Sequence, residues 1–143
     1  MSFHLPHDIP LIIDAEGADF ILKAKGNNKL RSDFFQALSE GRIFVCTAML
    51  KHFREVCPEC VKEITEHGIV RIRPQEVESV AGELIDHCHN SGIEVSEGLA
   101  PKIYTIAAAK VKGGRVLSAD GRKSSISMKS LCTLFSVAFV ELV

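Results

Sequence analysis

"PKIYTIAAAKVKGGRVLSADGR", residues 101–122, holds a helix, a stop, a strand and a terminal acid in one unbroken run. Its first part, "IYTIAAAKV" at 103–111, is free of Gly and Pro and rich in small apolar residues, as in a helix packed closely on a sheet. "GG" at 113–114 stops that helix, since Gly accepts the left-handed conformation after a last turn at no steric cost. "RVLSA" at 115–119 then reads as a strand, and Asp120 falls just past its carboxyl end. "PLIIDA" at 10–15 has the same ending, with Asp14 closing the apolar run "LII".

Working outward, "RIFVCT" (42–47), "IVRIR" (69–73) and "AFVELV" (138–143) are further strand candidates. "LII" and "IFV" are apolar at consecutive positions, so both faces of those strands must be covered, as in a parallel sheet. The segments between the strands read as helices. Residues 75–91 place Val77, Val80, Ala81, Leu84, Ile85 and Cys88 on one 3.6-period stripe. "GR" at 41–42 marks another helix end, and "AKGNNKLRSD" (24–33) reads as a mobile loop. Alternating strands and helices with right-handed crossovers imply an α/β fold. The expected form is a three-layer α/β/α sandwich around a mostly parallel sheet of four to five strands, in one domain over residues 1–143.

In an open α/β sheet, ligands bind beyond the carboxyl ends of the strands, where the strand order reverses. Asp14 and Asp120 would meet there. Two carboxylates brought together repel unless a cation lies between them, and hard oxygen ligands suit Mg²⁺ or Mn²⁺. The structural alternative is that each aspartate caps the helix or turn that follows; Asp14 with Glu16 in the next turn fits a helix start.

"LIIDAEGADFIL", the stretch from 101 to 122 and "FVEL" in the last strand together resemble the PIN domains, small metal-dependent nucleases that include many bacterial toxins. The family's first strand ends in an Asp, matched by Asp14, and its pattern Leu-(Ser/Thr)-x-Asp is matched by Ser118 and Asp120. The resemblance implies a Mg- or Mn-dependent ribonuclease that cleaves RNA phosphodiester bonds, with Asp14 and Asp120 holding the metal. Ser118 would orient a water or a ligand, while Lys102 and Arg122 would contact phosphate. The partners it implies are RNA, a cognate antitoxin or another protein, and a second copy of the chain.

The departures from the pattern are specific. Lys102 stands where the family's helix opens on an acid, and His52 stands at a second acidic position in "CTAMLKHFREV". Glu16 replaces the usual Asn or Ser. Glu16 and Glu55 could rebuild a carboxylate cluster, or Lys102 could fill the metal's electrostatic niche. The second outcome would leave a catalytically degenerate PIN-like domain that binds RNA or protein without cutting.

"CPEC" at 57–60 supplies Cys57 and Cys60, and "HCH" adds His87 and His89, four donors of the kinds zinc takes. The second half lacks zinc-finger spacing, so zinc is not expected, nor is a thioredoxin-like role for "CPEC". With a net charge of −1 there is no global basic field, and any polyanion needs a local patch. Five cysteines, no basic leader and no long apolar run lead us to expect reduced thiols, a cytoplasmic location and no membrane contact. "FFQAL" (34–38) reads as core or interface, and "RIRP" (71–74) as a solvated strand face.

Overall fold

Leu11, Ile12 and Ile13 form β1 (Leu11–Ile13), and all three are fully buried, which requires cover on both faces of the strand. The structure, a computed structural model, describes residues 5–23 and 27–142. β2 (Ile43–Cys46), β3 (Val70–Ile72), β4 (Arg115–Ser118) and β5 (Phe139–Glu141) complete a five-stranded sheet in the order β3-β2-β1-β4-β5. Every pairing is parallel. The chain therefore builds outward from β1 in one direction and then returns to β4 on its other side. The reversal lies between β1 and β4, the switch point of the sheet.

Helices fill the crossovers: α1 (Ala15–Leu22), α2 (Asn28–Ser39), α3 (Leu50–Val56), α4 (Pro58–Glu66), α5 (Pro74–Asn90), α6 (Ala100–Lys112) and α7 (Met128–Leu134). A short 3-10 turn, Thr47–Met49, leads into α3. Right-handed connections put α1–α4 on one face and α5–α7 on the other. Packing agrees, since α1 contacts α2, α3 and α4, while α6 contacts α5 and α7. α6 buries Ile103, Ile106, Ala107, Ala108 and Ala109, and its small side chains allow close approach to β1, β2 and β4. Gly113 ends it at φ +64°, a conformation that Gly adopts without a Cβ penalty. On α5, Val77, Ala81, Leu84 and Cys88 form the buried face.

One expectation is corrected. The stretch 24–33 is largely helix: Asn27 caps α2, its side-chain oxygen accepting the Leu30 N–H at 2.8 Å. The polar Asn pair that suggests a turn is instead a helix start, the other use of Asn. Lys29 and Asp33 then form an i,i+4 ion pair at 2.9 Å. Residues 24–26 of that stretch lie outside the described residues. Phe34 and Leu38 are core, as "FFQAL" suggests. Among the described residues no helix is long and apolar enough to cross a membrane.

β1 and β4 are in register with Ile13 opposite Leu117, so Asp14 and the turn after Ser118 leave the sheet at the same edge. Gly17, in the first turn of α1, comes so close to β4 that a Cβ there would lie 2.6 Å from the Leu117 carbonyl oxygen. Backbone cannot yield as a flexible side chain would. Gly17→Ala should therefore destabilise the fold by about 1–3 kcal/mol, the usual cost of overpacking. The measurement is the shift in urea midpoint at unchanged slope; an unshifted midpoint would contradict this account of the α1–β4 contact.

Candidate active site

Asp14 ends β1 and caps α1, its Oδ1 accepting the Gly17 N–H at 2.8 Å. The cap explains its placement locally: a helix that starts directly after a strand needs an acceptor for its free N–H groups. Its second oxygen, Oδ2, accepts from the Ser118 hydroxyl at 2.5 Å. Ser118 Oγ in turn accepts the backbone N–H of Asp120 at 2.9 Å. The two aspartates are thus joined through one fully buried hydroxyl. Ser118, expected to orient a water or a ligand, orients the Asp14 carboxylate and holds the Asp120 backbone N–H.

Asp120 faces cations. Arg122 grips it as a fork, Nε to Oδ1 at 2.6 Å and the second nitrogen to Oδ2 at 3.3 Å. Lys102 Nζ, in the first turn of α6, donates to the same Oδ2 at 3.1 Å and to the Ile126 carbonyl at 3.1 Å. The Met128 N–H adds a further bond to Oδ2 at 3.0 Å. The side chains of Asp120 and Lys102 are only 3% and 11% exposed, whereas Arg122 is 64% exposed.

The same sheet edge therefore holds two carboxylates of opposite character. Burial raises Asp14 to about 7 from 3.8; Glu16 and Asp120 add to that rise, and the Ser118 and Gly17 hydrogen bonds only partly oppose it. Burial also works against ionised Asp120, yet Arg122, the Met128 N–H and Lys102 outweigh it and hold the group at about 2. Lys102 does not lower both carboxylates, as an ammonium placed between them would. It pairs with Asp120, and Asp14 lies sealed one strand away.

Glu16 and His52 come together as well. His52 Nε2 and Glu16 Oε1 are hydrogen-bonded at 2.9 Å. Glu55 is 61% exposed and reaches only the other ring nitrogen of His52, at 3.7 Å. It does not join a carboxylate cluster. Glu16 Oε2 is buried without a hydrogen-bond partner. Glu16, His52, Lys102, Asp120 and Arg122 line an open cleft of about 510 Å³ together with Ser96, Gly98 and Leu99. The segment carrying Ser96 and Gly98 has no signal in the sequence that would mark it as a cleft wall.

In this arrangement a divalent ion would compete with protein donors for the aspartate oxygens. Both oxygens of Asp120 are engaged by protein donors, two of them cationic, and Asp14 spends its oxygens on Gly17 and Ser118. An ion beside Asp120 would also meet the Lys102 ammonium and be repelled by it. Among the described residues, the His, Cys, Asp and Glu side chains that gather as a ligand trio lie elsewhere, at Asp19, Cys57 and Cys60.

The four-residue zinc set is not assembled. His87 packs edge-on to Phe135 at 5.6 Å between centroids, on the α5 side of the sheet, while Cys57 and Cys60 start α4 on the other side. Cys57 and Cys60 are joined as a disulfide with Cα atoms 5.4 Å apart, and Cys46, Cys88 and Cys132 are free and buried. The expectation of wholly reduced thiols is corrected for this pair: Cys57 caps α4 and Cys60 follows one turn on, within bridging distance.

No family model matches the chain. Nor does any curated protein. Among solved structures it is similar to one described as the crystal structure of FitAcB from Neisseria gonorrhoeae, at a TM-score of 0.57 and 15% sequence identity. The match covers 92% of this chain and 96% of that one. The fold is PIN-like. In this PIN-like sheet, Asp14 and Asp120 sit on the two strands flanking the switch point, with Lys102 above β4.

The raised Asp14 has a measurable consequence. Below about pH 4 the group is protonated whether folded or not, and its favourable contribution is complete. As pH rises toward about 7 the native state holds a proton the unfolded chain has released, so stability falls and the contribution is lost. At about 1.4 kcal/mol per pH unit, the interval from 3.8 to about 7 corresponds to at most about 4 kcal/mol. Asp14→Asn keeps an acceptor for Gly17 and cannot ionise. Its urea midpoint should match or trail the wild type at pH 5 and exceed it at pH 8; parallel pH profiles for the two proteins would refute the assignment.

Proposed function

We propose that this chain is a PIN-like binding module in which a fixed side-chain cation, Lys102, stands where the family pattern places a metal-ligating acid. The observation that carries the reading is the buried Lys102–Asp120 ion pair, 3.1 Å between Nζ and Oδ2. Breaking such a pair by removing one partner leaves an uncompensated buried charge, so the cation is built into the fold. The ligand proposed is single-stranded RNA. Next to the cleft, Arg122, Lys123 and Lys129 line a second hollow of about 420 Å³ together with Ser130 and Thr133. These are groups that contact a phosphodiester backbone; Arg122 and Lys129 also pair with Asp120 and Glu141, which leaves Lys123 as the cation of the three with no ion pair among the described residues. Binding then requires no divalent ion.

A second reading keeps the metal-dependent ribonuclease, with an antitoxin as the partner the PIN resemblance suggests. The unpartnered buried oxygen of Glu16 favours it, since that atom and Asp14 are acceptors a cation could satisfy. It would require Arg122 and Lys102 to release Asp120.

Fluorescence anisotropy with a labelled single-stranded RNA separates the two. On the first reading the wild type binds equally with EDTA or Mg²⁺, and no cleavage appears with Mn²⁺. Binding weakens as salt rises, and Lys123→Ala lowers the slope of log affinity against log salt by about one. Lys102→Asp should then gain Mn²⁺ affinity by calorimetry, because it replaces the competing charge with a ligand. Mn²⁺-dependent cutting by the wild type, abolished in Asp14→Asn, would overturn the proposal and establish the nuclease.

A further inference from the structure

We infer that the reduced chain holds a soft divalent cation, zinc in chemical class, between Cys57, Cys60 and Asp19. The three residues come from two helices: Asp19 from α1, Cys57 from the cap of α4, and Cys60 from its first turn. Their ligand atoms, the two sulfurs and a carboxylate oxygen, all lie within 4.8 Å of one another. Around a tetrahedral zinc with Zn–S of about 2.3 Å and Zn–O of about 2.0–2.2 Å, donor atoms stand about 3.5–4 Å apart. Small side-chain rotations therefore bring the three onto a common ion once the sulfurs are no longer bonded to each other.

The surroundings supply the rest of the site. Glu59, an exposed residue, lies 3.6 Å from Cys57 Sγ through its Oε2 and 3.3 Å from Lys23 Nζ, and water can supply a fourth ligand from that edge. Cys57 and Cys60 are themselves buried, which gives the ion the dry, shaped pocket that thiolate sites use. The other cysteines do not compete. Burial pushes the Cys132 thiol up to about 12, with the Asp14 charge adding to the shift, and it raises Cys46 and Cys88 as well. As a crosslink the disulfide closes a loop between residues only three apart, too short to restrict the unfolded chain much. Its chemistry is therefore the more informative property. The inference does not depend on how the cleft is read, since α1 contributes Asp19 here and Glu16 there.

Reduction and loading balance simply. A water-soluble phosphine and one water convert the disulfide to two thiols, the phosphine becoming its oxide. The incoming divalent ion then displaces the two thiol protons to solvent.

The test uses the full chain, reduced in this way, freed of phosphine without air, and titrated with Co²⁺ as a spectroscopic substitute for zinc. One equivalent should produce a thiolate-to-cobalt charge-transfer band that zinc abolishes by displacement. The oxidised protein should give none, and Cys60→Ser should give none. Asp19→Asn, a conservative change at a half-buried position, should remain folded and weaken binding by at least about tenfold. Absence of the band in the reduced wild type would overturn the site, and so would undiminished affinity in Asp19→Asn.

Discussion

The Ser118 hydroxyl donates to Asp14 at the end of β1 and accepts from the Asp120 backbone N–H beyond the end of β4. Strand pairing brings the two ends level, and this bridge fixes what stands on them. It turns the Asp120 carboxylate out toward α6 and the loop, where Lys102, Arg122 and the Met128 N–H meet it. It also holds the Asp14 carboxylate inward over α1, closed off from solvent. A threonine would make the same bonds, but an apolar residue would leave one oxygen of a buried acid and a buried N–H without partners, at about 1–3 kcal/mol each.

From that bridge follows the division of charge across the cleft. Asp120 has two cations and stays ionised far below neutrality, while Asp14 has none and is pushed toward neutrality by burial. In a two-carboxylate site without fixed cations, a shared ion would serve both groups. Here one carboxylate is compensated by cations of the protein, and burial raises the other to about 7. Glu16 completes the edge by binding His52 through one oxygen. The positions that a metal would bridge are held as separate pairs, each with its own partner.

α1 links the two chemically distinct regions of the molecule. Its cap is Asp14, its first turn carries Glu16 toward the cleft, and Asp19 one turn later stands beside the Cys57–Cys60 pair. The helix is anchored to β4 through Gly17, where a backbone carbonyl occupies the space a side chain would need. Changes at the start of α4 therefore act on a helix whose other end is rigidly seated on the sheet.

The strands, the parallel character of the sheet and the edge at which the acids collect are legible in the residue pattern. Buried strands such as "LII" and a small-residue helix ended by Gly-Gly have few alternatives, because period and turn chemistry are local properties. The sequence also determined which residue types stand near the cleft, Lys102 and His52 among them. The Asn27–Asn28 pair was ambiguous, since the same residue favours a turn and a helix cap. Tertiary structure alone decided the pairings: that Lys102 serves Asp120 and leaves Asp14 unpaired, that Ser118 joins the two, that Glu55 stays outside, and that Asp19 rather than His87 or His89 lies beside the cysteines. These contacts join residues up to 104 apart in sequence, and their partners are set by distances of about an ångström, which no local pattern encodes.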